Sequence, residues 1–315
     1  GGGDCCLCRL RSRAEVPGER ACCCGCGPQE LFAPIERSLS GLRARTAEWR
    51  NAAETIGVVP TMGALHQGHL SLARAARAKC DRVIVTIFVN PKQFNDPDDL
   101  KNYPRTEEED ARKLESIGVD LIYVPEPDQI YPDGFATTVS VSGLTDMLCG
   151  ESRPGHFDGV ATVVSKLFIQ TSADFAFFGE KDYQQLQIVR RMAADLDLPV
   201  EVVGCPTIRE EDGLAMSSRN LLLSDRSRIK APVLAEVMED MRAQLQGGAA
   251  MSEIIEDARA RMLAAGFNEI DYLELREGGD LSLSDRAMPE ARLFAAAWLA
   301  VVRLIDNVAV DDAAT

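Results

Sequence analysis

Ile56-Gly57-Val58-Val59-Pro60-Thr61-Met62-Gly63-Ala64-Leu65-His66-Gln67-Gly68-His69 is the stretch that decides the fold. Ile56 to Pro60 read as a short buried strand, and the residues from about His69 to Lys79 carry a helical period. A strand that turns through glycines straight into a helix is the building unit of a parallel sheet covered on both faces. Outward from it the alternation continues. Leu39, Leu42 and Trp49 mark a preceding helix, and Arg82 to Asn90 is the clearest parallel-type strand in the chain. Helices are expected at Glu107 to Ile117, Val160 to Thr171 and Tyr183 to Leu196, and strands at Val119 to Val124, Asp174 to Phe178 and Val200 to Val203. Beyond about Thr207 the order changes. Helical patterns at Arg226 to Leu245 and Ser252 to Ala265 sit with strand candidates at Ile270 to Leu275 and Arg292 to Ile305, which predicts a smaller α+β domain. The expected organisation is therefore an α/β domain over residues 35–206 and a smaller one over 207–315.

The 315 residues, 46% hydrophobic and 26% charged, suffice for real cores. No uninterrupted apolar run reaches the roughly 18 residues that a spanning helix needs, so no membrane partner is expected. Lys plus Arg number 34 against 49 Asp plus Glu, a formal charge of -15, which argues against nucleic acid and anionic lipid as partners. A small anionic substrate fits if a few cations converge. Seven of the ten cysteines fall within residues 1–26, leaving only Cys80, Cys149 and Cys205 beyond, so a disulfide framework is not expected and the cytoplasm is the compartment predicted. Residues 1–34 read as a disordered, Cys-rich extension. Cys5-x-x-Cys8 and Cys23-x-x-Cys26, 14 residues apart, come near a zinc-ribbon spacing, which is the alternative for that segment.

Four segments carry candidate chemistry. Between Pro60 and His69 the chain leaves a strand and opens a helix, so unpaired N–H groups and the helix dipole suit a phosphate there. His66 and His69 can project together from that entrance and donate hydrogen bonds to charge that builds at phosphorus; metal ligation and capping are the other uses of such a pair. Gly179-Glu180-Lys181-Asp182-Tyr183-Gln184-Gln185 again follows a strand end. Lys181 offers a point charge, Asp182 an oxygen for a ribose hydroxyl or Mg2+, and Gln185 an amide; an ordinary solvated helix start has the same composition. Met216-Ser217-Ser218-Arg219-Asn220 places hydroxyls and a guanidinium where a triphosphate tail could be gripped, or forms a capped turn. Phe88-Val89-Asn90-Pro91-Lys92-Gln93-Phe94 puts polar amides at a buried strand end, where packing alone does not call for them. Arg153-Pro154-Gly155-His156-Phe157-Asp158-Gly159 is a glycine-bearing turn into an apolar helix, with His156 in a supporting role. The acidic run Glu107 to Asp110 reads as a solvated helical face.

Taken in order, Pro60 to His69, Phe88 to Phe94 with Tyr103-Pro104-Arg105-Thr106, Arg153 to Gly159, Phe178 to Gln185, and Met216 to Asn220 resemble the pantoate-β-alanine ligase family, within the His-x-Gly-His nucleotidyltransferase superfamily. The likeness runs from about Ile35 to about Val310. It implies a Rossmann-like parallel-sheet domain, a smaller α+β lid domain and a homodimer. It also implies ATP-dependent joining of pantoate to β-alanine through a pantoyl adenylate, with release of AMP and pyrophosphate.

Carried over position by position, the resemblance makes His69, His66, Lys181 and Arg219 the catalytic set. Met62, Gly179, Glu180, Asp182, Ile208, Met216, Ser217 and Ser218 join them around ATP, and Gln93, Gln185 and Asn90 around the acid and amine substrates. Mg2+ accompanies ATP, with Asp182 its protein ligand. Lys92 and Gln67 depart from the family pattern, and the segment before Ile35 has no counterpart. Two other readings stay open on sequence: transfer of a nucleotidyl group to a different acceptor, and a non-catalytic module recruited through zinc at residues 1–34.

Overall fold

A computed structural model describes residues 33–310; the cysteines of the candidate zinc ribbon lie outside the described residues. Six parallel strands form the first sheet: β1 (Ile35–Glu36), β2 (Ile56–Thr61), β3 (Arg82–Ile87), β4 (Leu121–Tyr123), β5 (Phe175–Gly179) and β6 (Glu201–Cys205), in the order β1-β4-β3-β2-β5-β6. The chain winds outward from β2 through β3 to β4, then returns to the other side of β2 for β5 and β6. The switch in direction between β2 and β5 opens a crevice at their carboxyl ends, where such sheets take ligands.

Successive strand residues alternate between two cores, as the two-residue period requires. Val59, Val83, Val85, Ile122 and Phe177 meet Leu70, Ala73 and Ala76 of helix α2 (Gln67–Lys79) on one face. Val58, Ile84, Leu121, Tyr123, Ala176 and Phe178 meet the long helices on the other. Those are α1 (Leu39–Asn51), α7 (His156–Thr171) and α8 (Tyr183–Asp195), with short helices α3 (Pro97–Asn102), α4 (Glu107–Glu115), α5 (Pro127–Ile130) and α6 (Cys149–Ser152) in the connections between. The Arg82 strand stops at Ile87 rather than Asn90. Phe88 donates the last ladder bond to Thr61 O, and Pro91, which has no N–H, opens a 3-10 turn capped by Asn90.

After residue 206 come α9 (Asp225–Lys230), α10 (Val233–Gln246), α11 (Met251–Ala265) and a second, antiparallel sheet of β7 (Glu269–Arg276), β8 (Leu283–Ser284), β9 (Arg292–Leu299) and β10 (Val302–Ala309), ordered β10-β9-β7-β8. One face, with Leu273, Leu293, Ala295 and Leu304, packs on α10 and α11. From the other, Tyr272, Phe294 and Ala296 join the core beneath α7 and α8. Two expectations need correction. The helix from Arg226 to Leu245 is broken into α9 and α10 at Pro232, which cannot donate to the carbonyl one turn back. The strand from Arg292 to Ile305 is a hairpin, Leu299 pairing with Val302 across a two-residue turn of Ala300 and Val301.

Ala300 occupies this turn at φ 55°, where a side chain is strained. Replacing it with glycine removes a penalty of about 1–2 kcal/mol against a glycine entropy cost of about 0.5–1 kcal/mol. Ala300→Gly is expected to raise the midpoint of chemical denaturation modestly; a lower midpoint would refute the strained hairpin.

Candidate active site

The turn between β2 and α2 leaves two successive amides outside any ladder. Ala64 sits at φ 51°, and its N–H and that of Leu65 donate to the two carboxylate oxygens of Asp110, at 2.9 and 2.8 Å. Asp110 is fully buried on α4, beside Ala111 and Leu114. The solvated acidic face expected at Glu107 to Asp110 therefore fails at its last residue, which instead fixes the turn that delivers the histidines.

His66 caps α2 through Nδ1, which accepts from Gly68 N at 3.1 Å; the His69 Nδ1 accepts from His66 N at 3.3 Å. A Cβ on Gly68 would stand 2.8 Å from the His66 ring, so this cap requires glycine. The rings lie 4.1 Å apart. With each Nδ1 engaged as an acceptor, each ring carries its proton on Nε2 as a free donor. Burial, with His66 as a second cause, pushes the His69 pKa down to about 3; burial, then Lys181, lowers that of His66. Both imidazoles are neutral at pH 7.

A cleft of about 1160 Å³ opens above β2 and β5, more than a single small ligand needs. Met62, His66, His69, Asn90, Gln93, Gly179, Lys181, Asp182, Gln185, Ile208, Met216, Ser217, Ser218 and Arg219 all line it, so the segments singled out from sequence converge on one space. Glu180 is the exception: its carboxylate turns away to Arg292 at 3.1 Å. Asn90 is buried, and its amide donates to Gln93 Oε1 and Gly159 O, both at 3.0 Å, while Tyr131 donates to its oxygen at 2.7 Å. Its hydrogen-bonding capacity is turned on the protein, where it aims Gln93. Gln93 donates to Met62 Sδ at 3.2 Å and keeps a second amide hydrogen, whereas Gln185 makes no side-chain hydrogen bond to any described residue. The turn that bears Gln93 lies flat on α7 because Gly159 has no Cβ; one there would come 2.8 Å from Gln93 N.

The far wall comes from the chain after β6. Ile208 O accepts from Met216 N at 2.9 Å, and Ser217 caps the 3-10 turn that carries Arg219, whose guanidinium lies 3.3 Å from Asp99 of α3. Asn307 of β10 reaches to the turn of Glu180 to Asp182. Its amide donates to the carbonyls of Glu180 (2.9 Å) and Lys181 (2.8 Å), and Arg292 donates to its oxygen. His156 donates through Nδ1 to Gln93 O at 2.7 Å and accepts at Nε2 from Arg153 at 3.2 Å, with a pKa brought down to about 4, chiefly by burial. Asp110, Asp99, Arg153 and Asn307 are contributors not singled out as site residues from sequence. Asp110 shares a helical face with Leu114 one turn on, and Arg153 opens the glycine-bearing turn quoted from sequence; Asp99 and Asn307 left no such signal.

A family model described as pantoate-beta-alanine ligase matches residues 35–309. The pantothenate synthetase of Roseobacter denitrificans is 66% identical over 278 residues, 88% of this chain and 98% of that protein. A pantothenate synthetase crystal structure from Thermus thermophilus superposes with a TM-score of 0.83 at 44% identity, covering 88% of this chain and 99% of its own. The pantoate-beta-alanine ligase of Francisella tularensis, crystallised with beta-gamma ATP and beta-alanine, gives 0.74 at 34% identity over 88% of this chain and 97% of that one. Fold, ordered motifs and a match over nearly all the described residues agree: the chain belongs to the pantoate-β-alanine ligase family.

Proposed function

We infer that the chain joins pantoate to β-alanine with ATP, releasing AMP and pyrophosphate, and that the cleft above β2 and β5 is where it does so. The observation that carries the reading is the convergence of two neutral Nε2–H donors, Lys181 and Arg219 with the remaining amide hydrogen of Gln93 and the amide of Gln185 in one space. A pantoate carboxylate oxygen attacks the α-phosphorus of ATP; the bond from that phosphorus to the bridging oxygen breaks and pyrophosphate leaves. The amine of β-alanine then attacks the acyl carbon of the adenylate, loses a proton and expels AMP.

A carboxylate nucleophile has no proton to give up at pH 7, so the first step needs charge stabilisation rather than a base. His66 and His69 supply it as hydrogen-bond donors already fixed in position. Lys181 and Arg219 neutralise the phosphates, Arg219 exchanging Asp99 for phosphate oxygen. Met62, Ile208 and Met216 flank the nucleotide, Gly179 and Asp182 its ribose, and Gln93 and Gln185 orient pantoate. No group of three or more His, Cys, Asp or Glu side chains forms a metal site among the described residues. Asp182 fits a cation shared with phosphates: its half-exposed carboxylate meets only Lys181, at 3.8 Å. Mg2+ bound there with ATP supplies charge neutralisation. A homodimer completes the reading on family membership, and a reducing cytoplasm agrees with Cys80, Cys149 and Cys205 being buried free thiols. No helix among the described residues is long and apolar enough to cross a membrane.

The primary test is AMP and pyrophosphate release from ATP with pantoate and β-alanine, and pantoate-dependent exchange of labelled pyrophosphate into ATP without the amine. His69→Ala is expected to cut turnover about 10²- to 10³-fold with little change in ATP affinity; unchanged turnover sinks the assignment. Because burial keeps His69 neutral down to about pH 3, the exchange rate is expected to be flat where a free imidazole titrates, near the ordinary 6.5. An acid limb centred there and missing from His69→Ala would contradict it. Asp110→Asn turns an amide hydrogen toward one of two backbone donors, and should lower stability by about 1–3 kcal/mol and slow exchange, checked by urea denaturation beside the exchange assay.

A further inference from the structure

Four permanent cations line the cleft among the described residues: Arg153, Lys181, Arg219 and Arg303. Three have a carboxylate within 4 Å. Arg303 lies 2.6 Å from Asp271, Arg219 3.3 Å from Asp99 and Lys181 3.8 Å from Asp182. Arg153 has none among the described residues. Its two hydrogen bonds go to neutral acceptors, His156 Nε2 and the Gln93 main-chain oxygen, each at 3.2 Å. The His156 ring is locked in place by that same oxygen. A guanidinium carries five N–H groups, so this pair of bonds holds the planar fork in one orientation and leaves donors over. Burial, and then the field of Arg219, push its pKa down from the ordinary value. A half-buried, oriented and uncompensated cation is a costly feature unless an anion arrives to meet it.

We propose that Arg153 binds the carboxylate of the amine substrate and so selects β-alanine over amines that lack one. The inference rests on the ligase reading above, and the charges of that reaction choose among its anions. The triphosphate already has Lys181 and Arg219. The pantoate carboxylate is the nucleophile, and it loses its charge when its oxygen bonds to phosphorus; a guanidinium clamp on it would restrain the attack. The carboxylate of β-alanine keeps its charge from entry to product, and one planar fork matches one carboxylate. Position agrees: Arg153 is bonded to the main chain of Gln93, whose side chain faces the pantoate site.

The test compares the wild-type chain with Arg153→Gln and Arg153→Lys, using β-alanine and its uncharged analogue 3-aminopropanamide as amines. Arg153→Gln is expected to raise the KM for β-alanine about 10- to 100-fold, the worth of a charge-assisted contact. Its kcat/KM for 3-aminopropanamide should change little, so the preference between the two amines collapses, and Arg153→Lys should recover part of it. The KM for ATP and the pantoate-dependent pyrophosphate exchange should move far less than the KM for β-alanine. Equal losses on both amines would mean a merely structural role and overturn the proposal. A loss concentrated in the exchange reaction would overturn it in favour of the triphosphate. Absence of exchange in the wild-type chain would instead refute the ligase reading, and the assignment of Arg153 with it.

Discussion

The grip of Asp110 on the amides of Ala64 and Leu65 is the constraint on which the site depends. The turn from β2 into α2 is neither strand nor helix, and buried amides left without acceptors would cost more than the turn could recover from packing. A carboxylate buried in the fold, with Thr106 also donating to it, supplies both acceptors at once. The entry angle of α2 follows, then the reciprocal capping by His66 and His69, and then the outward direction of both Nε2 atoms. The placement of both imidazoles descends from one carboxylate that does not itself line the cleft.

Much of this was legible in the sequence, because parallel strands buried on both faces write themselves as short apolar runs and the helices between them as a 3.6-residue period. The segments around His66 and Lys181 were found because each follows a strand end and opens a helix, that around Gln93 because polar amides sit at a buried strand end, and that around Arg219 because two hydroxyls and a guanidinium stand side by side. The misses have separate causes. The break before α10 is marked by Pro232, but the helical pattern continues on both sides and hides it. The turn at Ala300 and Val301 carries no glycine, asparagine or proline, so nothing local distinguishes the hairpin from one long strand. Asp110 stands in a run with three other acids, and only tertiary context separates the buried one from its solvated neighbours. Glu180 sits between two cleft residues, yet a 3-10 turn sends its side chain the other way.

The cleft of this acidic chain holds more carboxylates than Lys and Arg side chains, but Asp99, Asp182, Asp271 and Asp306 are each paired with a cation, and burial keeps the two histidines neutral. Asp99 and Asp182 hold Arg219 and Lys181 at distances typical of loose ion pairs, which phosphate oxygens can replace without leaving a buried charge stranded. Arg303, closer to its partner and less exposed, belongs with Asp271 to the framework.

The amide of Asn307 ties the antiparallel sheet to the turn beneath Lys181 through two consecutive carbonyls. Strand β10 and the backbone under the ammonium group consequently travel together: any rocking of the carboxyl-terminal sheet is transmitted to the height at which that charge stands above the crevice. Changes in the hairpin can therefore shift the Lys181 ammonium as well as the stretch of cleft wall that the hairpin itself forms.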